Sequence, residues 1–397
     1  MCCLAENSEK TGLEKRFRLT DFFDRHWDAY LESPTSYIKP EQLKAVNAMR
    51  VCRTERLGID VYACPECGEE KRIYHNCKNR FCPTCSWKDT MEWAERIKRR
   101  MLRVKHRHIV CTLPHSIHGL IRKNKVLLDA LMRSAAFTFK DWMLHRHQIK
   151  IGIISVLHTY GEKKNYHPHV HMIVSWGGIK KTGKLREIEN EFVHYKFLQK
   201  KFRINYEREL IETYDRGHLV HSFGDRVRFL TFIKQINQQD WQLHLEPAIQ
   251  TPSEVIRYIG RYSKRACISE YKITKMEGEH ISFQYKDYRD RDPEGNPRIK
   301  ELTLHYRKFF PRLLQHVPPP YFRVVRYYGL YSNHGEIAPE YLNVETEDQG
   351  SQPEEQNNQC EICHQKRVYV YTFLSQKPKS DQSTDITKWY TKYKRVA

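Results

Sequence analysis

The chain has 397 residues, enough to bury a full hydrophobic core as one large domain or two to three smaller ones. Its 68 Lys plus Arg stand against 48 Asp plus Glu, a formal charge of +20 spread among Trp, Tyr and Phe rather than gathered in a tail. Such an excess points to a polyanionic partner, and no apolar run approaches the ~18 residues of a membrane-spanning helix. The N-terminus carries no apolar leader segment, so a cytoplasmic protein with no membrane partner is expected. Twelve cysteines in such a chain suggest metal binding more than disulfides.

Residues 1–60 read as an N-terminal helical region. Phe23, Trp27, Tyr30 and Leu31 follow helical spacing, and Leu43, Val46 and Met49 make a second stripe beyond Pro34 and Pro40. This region is read as a support or DNA-gripping layer, or as a purely structural cap.

Residues 61–95 change character and read as a zinc ribbon. Cys64-Pro-Glu-Cys67 and Cys82-Pro-Thr-Cys85 are two CxxC knuckles separated by short β-prone segments. Four thiolates suit tetrahedral structural zinc, and Cys64, Cys67, Cys82 and Cys85 are the simplest set. His75 or Cys77 could replace a knuckle cysteine, and Cys52 with Cys77 could contribute to a second site. Lys71, Arg72, Lys78 and Arg80 supply a basic surface for phosphates, or merely solvated charge on a folding module.

The segment 96–335 is expected to hold the chemistry. A basic amphipathic helix over 87–108 leads to a strand at 109–113, and a long apolar helix runs from Leu120 to Trp142. Cys111 reads as a core cysteine. A strand ending at Tyr160 then pairs, through a connection at 161–166, with the run His167-Pro168-His169-Val170-His171. Residues two apart on a strand share a face, so His169 and His171 present two imidazoles side by side to a divalent metal. Glu162 and His158 are the nearest third ligands. Glu162 is preferred, because an oxygen beside two imidazoles would suit Mg or Mn. His167 is read as a neighbour or a phosphate contact.

A basic loop at 177–184 and a charged helical region over 190–214, with Phe192 among its apolar residues, precede a helix over 225–239 whose Phe229, Phe232 and Ile233 read as core. Thr251-Pro252-Ser253-Glu254 reads as a helix start. The helix beyond it would place Tyr258 and Tyr262 on one face, four residues apart, followed by Lys264 and Arg265 as phosphate contacts. Such a pair is often ordinary packing; beside a metal and cations it suits phosphodiester cleavage. A hairpin over 271–285, a strand at 299–304 and a helix ending before Pro318 come next. The aromatic and basic stretch from Tyr321 to Tyr331 either stacks bases or closes the fold. Residues 336–397 are read as a tail: a Gln-rich acidic linker at 345–358, then a lone knuckle, Cys360 and Cys363, that needs further ligands from elsewhere.

The ordered set of motifs resembles the two-tyrosine transposases of the IS91 group, within the HUH superfamily of single-strand endonucleases. The resemblance rests on Cys52-Arg-Thr, Cys64-x-x-Cys67-Gly, Asn76-Cys77-x-x-Arg80-Phe-Cys82-Pro-x-Cys85 and Thr112-Leu-Pro114. It continues through His158-Thr-Tyr-Gly-Glu162, His167-Pro-His169-Val-His171 and Tyr258-Ile-Gly-Arg-Tyr262. Phe81 and Tyr160 depart from the common His and Trp at their positions. The resemblance implies an α+β fold: an antiparallel-sheet nuclease core with packed helices, behind an N-terminal helical region and zinc ribbon. It implies rolling-circle-like transposition, with Tyr258 and Tyr262 forming 5′-phosphotyrosine intermediates and His169 and His171 holding the metal. The partner would be single-stranded DNA at transposon ends and target, and a homodimer is allowed. The rival readings are a plasmid relaxase or replication initiator of the same chemistry, and a non-enzymatic zinc-ribbon DNA-binding protein.

Overall fold

The computed structural model describes residues 17–33, 37–189, 193–249, 254, 267–342 and 359–374. The expected helix over 251–265 with Tyr258, Tyr262, Lys264 and Arg265, the linker at 345–358, Pro34 and Phe192 lie outside these described residues.

The chain opens with α1 (Leu19–Leu31) and α2 (Pro40–Arg50), then β1 (Ile59–Ala63), β2 (Glu70–Tyr74) and α3 (Pro83–Lys98). Next come β3 (His106–Thr112), α4 (His118–Lys123), α5 (Val126–His147), β4 (Ile149–Lys150), β5 (Gly152–Tyr160) and β6 (Tyr166–Ser175). A short hairpin, β7 (Gly177–Lys180) and β8 (Leu185–Glu187), precedes α6 (Tyr195–Asp215), α7 (Arg226–Asn237) and β9 (Gln242–Ile249). The remaining elements are β10 (Ile273–Glu277), β11 (His280–Arg291), β12 (Pro297–His305), α8 (Tyr306–Leu314), β13 (Val325–Gly329) and β14 (Val368–Phe373). The fold is α+β with antiparallel sheets. No helix among the described residues is long and apolar enough to cross a membrane.

Two compact units divide the chain: Met1–Tyr37 with Ile268–Pro311, and Ile38–Cys267 with Arg312–Ala397. In the first, β10, β11 and β12 form an antiparallel sheet. The apolar stripe of α1 buries Phe22, Phe23, Trp27 and Tyr30 around Phe309 and Phe310, with Phe23 stacked on Phe310 at 4.3 Å. Leu31, on the edge of that stripe, stays 39% exposed. The first N–H of α1 has no intrahelical partner, and Leu19 donates it to Glu270 Oε1 at 3.0 Å.

The second unit is built on a five-stranded sheet in the order β13-β5-β6-β3-β9, every pairing antiparallel. Alternation decides its two faces. Ile109, Cys111, Ile153, Leu157, Val170, Met172 and Val174 point into a core with residues of α5, α6 and α7. On the opposite face Ile154 and Ile173 pack with Trp93, Ala94 and Ile97 of α3. Further along that same face the residues become histidines.

Three segments differ from expectation. β9 carries only Leu243 and Leu245 in its apolar alternation and includes Pro247, which an edge strand tolerates because one side needs no ladder hydrogen bonds. The expected basic loop at 177–184 is instead largely the β7–β8 hairpin. The aromatic stretch at 321–331 contains edge strand β13 and closes the fold. There Tyr327 Oη accepts from Trp93 Nε1 at 2.6 Å, and Tyr331 Oη lies 2.7 Å from His106 Nε2.

Candidate functional site

Strand pairing assembles the histidines. His158 of β5 stands directly opposite His169 of β6, and the two-residue period puts His171 on the same face. One ligand atom from each of His158, His169 and His171 lies within 4.8 Å of the others. Glu162 is not among these clustered donors: β5 ends at Tyr160, and the chain leaves the sheet through the turn in which Lys164 N–H donates to Gly161 O at 2.9 Å. The structure therefore brings His158, rather than the preferred Glu162, to the histidine pair.

Hydrogen bonds select which nitrogen of each ring faces the cluster. His169 Nδ1 donates to His167 O at 2.7 Å, which leaves the Nε2 lone pair for a metal. His171 Nδ1 is 2.9 Å from His108 Nε2, and His108 Nδ1 is 3.4 Å from Glu246 Oε1. With His108 Nδ1–H donating to the carboxylate, His108 Nε2 accepts from His171 Nδ1–H, and His171 Nε2 is again the ligand atom turned to the cluster. Burial pushes His169 down to about 4 and holds His171 well below the ordinary imidazole range. Both rings are thus neutral at physiological pH, the form that binds metal. Three imidazoles fit a borderline divalent ion; a harder ion would want oxygen.

Beside the cluster is a cavity of about 240 Å³, lined by Arg80, Arg122, His158, Tyr160, Tyr166 and His316 among others. The Arg122 guanidinium lies over the Tyr166 ring at 4.8 Å. His316 Nε2 donates to Lys164 O at 3.0 Å, so its Nδ1 accepts from Thr159 Oγ1 at 3.1 Å. Burial lowers His316 to about 3 and Arg80 to about 10, so the arginine still carries its charge at neutral pH. The cavity joins cationic, aromatic and hydrogen-bonding groups to the face that carries the three clustered histidines.

Eight of the described cysteines form two clusters, and this corrects the simplest ligand set. Cys82 and Cys85 gather with Cys52 and Cys77, whereas Cys64 and Cys67 gather with Cys360 and Cys363. Strand geometry separates the two knuckles: β1 and β2 form the ribbon hairpin, with Cys64 and Cys67 in its turn, while Cys82 caps α3 beyond the opposite end. His75 belongs to neither cluster and pairs with Asp60 Oδ1 at 3.0 Å. Lys78 is exposed, and Cys111 is fully buried in the core.

His108, Glu246, Arg122 and His316 are site residues that sequence reading passed over. A signal existed for His108 alone, two residues from His106 and on the histidine face of β3. The others reach the site from segments remote in sequence.

Residues 152–337 match the family model described as a putative transposase, and residues 22–113 match the transposase zinc-binding domain. The chain is 30% identical over 325 residues to the putative transposase y4qJ of Sinorhizobium fredii, covering 79% of this chain and 80% of that protein. It is 29% identical over 314 residues to the transposase for insertion sequence element IS801 of Pseudomonas savastanoi pv. phaseolicola, covering 76% and 72%. No solved structure matches it. With a zinc-binding segment ahead of a transposase segment, and one such relative matched over four-fifths of its length, the chain belongs to the IS91 family of transposases.

Proposed function

We propose that this transposase nicks and rejoins single-stranded DNA through covalent 5′-phosphotyrosine intermediates, in rolling-circle-like transposition. The observation that carries this reading is the trio His158, His169 and His171 on one sheet face beside a basic, aromatic cavity. Cys267, which follows Tyr262 by five positions in the sequence, lines that cavity together with His158. Tyr258 or Tyr262 supplies the phenol oxygen that attacks the scissile phosphorus. The phenol loses its proton, the bond from phosphorus to the 3′ oxygen breaks, the departing 3′ oxygen takes up a proton to become a hydroxyl, and the 5′-phosphate stays on the tyrosine. Because the ester energy is kept, a 3′-hydroxyl can reverse the step and join strands without ATP.

A divalent ion at the three imidazoles would polarise the scissile phosphate. The donor set favours Mn over Mg there. Arg80 and Arg122 hold the DNA backbone, and the Tyr160 and Tyr166 rings offer stacking surfaces. Zinc at Cys52, Cys77, Cys82 and Cys85, all inside the matched zinc-binding segment, holds the start of α3 in place.

Covalent trapping tests the reading. Single-stranded DNA bearing an element end is incubated with Mn and resolved on denaturing gels. An adduct is expected for the native protein and is lost in Y258F/Y262F and in H169A/H171A. An adduct persisting in Y258F/Y262F, or none at all on DNA that is demonstrably bound, would overturn it.

A further inference from the structure

The thiols of Cys64, Cys67, Cys360 and Cys363 belong to a part of the fold that the matched family segments cover only in half. Cys360 and Cys363 lie beyond both of them. From these residues we propose a second structural zinc site, a tetrathiolate that completes the ribbon with the C-terminal segment, so that each chain carries two zinc ions.

The two knuckles are built alike. In the first, Cys64 N–H donates to Glu69 O at 2.9 Å and Gly68 N–H to Cys64 O at 2.9 Å. In the second, Cys360 N–H donates to Gln365 O at 2.8 Å and His364 N–H to Cys360 O at 3.0 Å. The residue after the second cysteine is left-handed in both, Gly68 at φ +74° and His364 at φ +60°. His364 holds that conformation without glycine's freedom, which implies that the surrounding turn imposes it.

Distances separate a metal site from disulfides. Cys64 Sγ is 3.2 Å from Cys363 Sγ, Cys67 Sγ is 3.4 Å from Cys360 Sγ, and Cys363 Sγ is 3.7 Å from Cys67 Sγ. A disulfide needs about 2.05 Å. A tetrahedron with Zn–S bonds of about 2.3 Å has edges of about 3.8 Å. The other four-cysteine cluster, inside the matched zinc-binding segment, shows similar spacings, 3.4 Å for Cys52–Cys85 and 3.5 Å for Cys77–Cys85. The backbone agrees: β14 pairs antiparallel with β1, and Asp60 Oδ1 accepts from Thr372 Oγ1 across that edge.

Metal analysis of the full chain, purified with zinc, tests the proposal. With the histidine site removed by H169A/H171A, the chain is expected to hold two equivalents, one when C360S/C363S is added and one when C77S/C85S is added. Cobalt substitution should give a thiolate-to-cobalt charge-transfer band in C360S/C363S at about half the native intensity. Should C360S/C363S aggregate, amide exchange on the native protein decides: residues 368–373 are protected with two equivalents bound and lose protection when chelator removes one. One equivalent in the H169A/H171A chain, two retained when C360S/C363S is added to it, or a non-reduced mass lighter by two or four hydrogens would each overturn it.

Discussion

His108 Nε2 and His171 Nδ1 are 2.9 Å apart, and this contact links a metal-face imidazole to the Glu246 carboxylate on the edge strand. With His108 Nδ1–H donating to Glu246, His171 is held as its Nδ1–H tautomer. Outer partners of this kind typically contribute about 10–100-fold in metal affinity. Calorimetric titration with Mn should therefore show H108A weaker by about that factor. Glu246→Gln can still accept through its amide oxygen and is expected to lose less. Equal affinity in H108A and the native chain would remove His108 from the site.

His158 and Glu162 make opposite predictions as third ligand. His158→Ala should abolish measurable Mn binding, because two imidazoles alone give a weak site. Glu162→Gln should leave the affinity within about twofold, since its side chain is outside the donor cluster. The reverse order would restore the carboxylate.

Arg80 and Arg122 face the cavity beside His158. Each should contribute sequence-independent affinity for single-stranded DNA. Replacing one with alanine is expected to shallow the slope of log affinity against log salt by about 0.7. An unchanged slope in both variants would place the DNA elsewhere.

Burial gives stability an acid-side dependence. His106 and His118 are each lowered to about 4, both by burial first, and His316 to about 3 by burial. An ordinary imidazole in the unfolded chain titrates near 6.5. Between about 6.5 and 4 the unfolded state binds more protons, so stability falls as pH is lowered through that window, by at most about 1.4 kcal/mol per pH unit per group. Denaturant midpoints from pH 7 to pH 4.5 should show this decline, and H106Q should flatten it by one group's share. A pH-independent midpoint would contradict the burial argument.

Phe310 stacks on Phe23 at 4.3 Å and touches Phe22, Trp27 and Tyr30 edge-on. Truncation to alanine should cost about 3–5 kcal/mol, in the range for a buried aromatic. Thermal unfolding should show a lowered transition for the unit that contains it, and an unchanged one would mean that this core is not what holds α1.

The legible parts of this chain were those whose information is local. His169 and His171 are two apart on an apolar strand, so period-2 geometry alone puts them on one face. The α1 aromatics and the α5 core likewise follow from spacing. His158 and Glu162 were both within reach of the pair, and a preference for oxygen chemistry put Glu162 first, whereas the structure clusters His158 with the pair. Only the register, His158 opposite His169, distinguishes them. The cysteines failed for the same reason at longer range. Nearness in sequence favoured Cys64, Cys67, Cys82 and Cys85, whereas the Cys360–Cys363 knuckle just ahead of β14 returns from 293 residues beyond Cys67 to supply two of the thiols. β9 escaped notice because an edge strand with a proline carries little apolar alternation.

That return has a consequence for how the chain is made. β1 lies in the middle of the order β14-β1-β2, yet 293 residues separate Cys67 from Cys360. At ribosomal rates of about 5–20 residues per second, the ribbon waits about 15–60 s for its last strand. Throughout that interval β1 offers an open hydrogen-bonding edge, and the histidine-bearing strands leave the ribosome before the edge is covered. A polypeptide ending before β14 would therefore carry the histidine-bearing strands together with a ribbon whose β1 edge is unpaired.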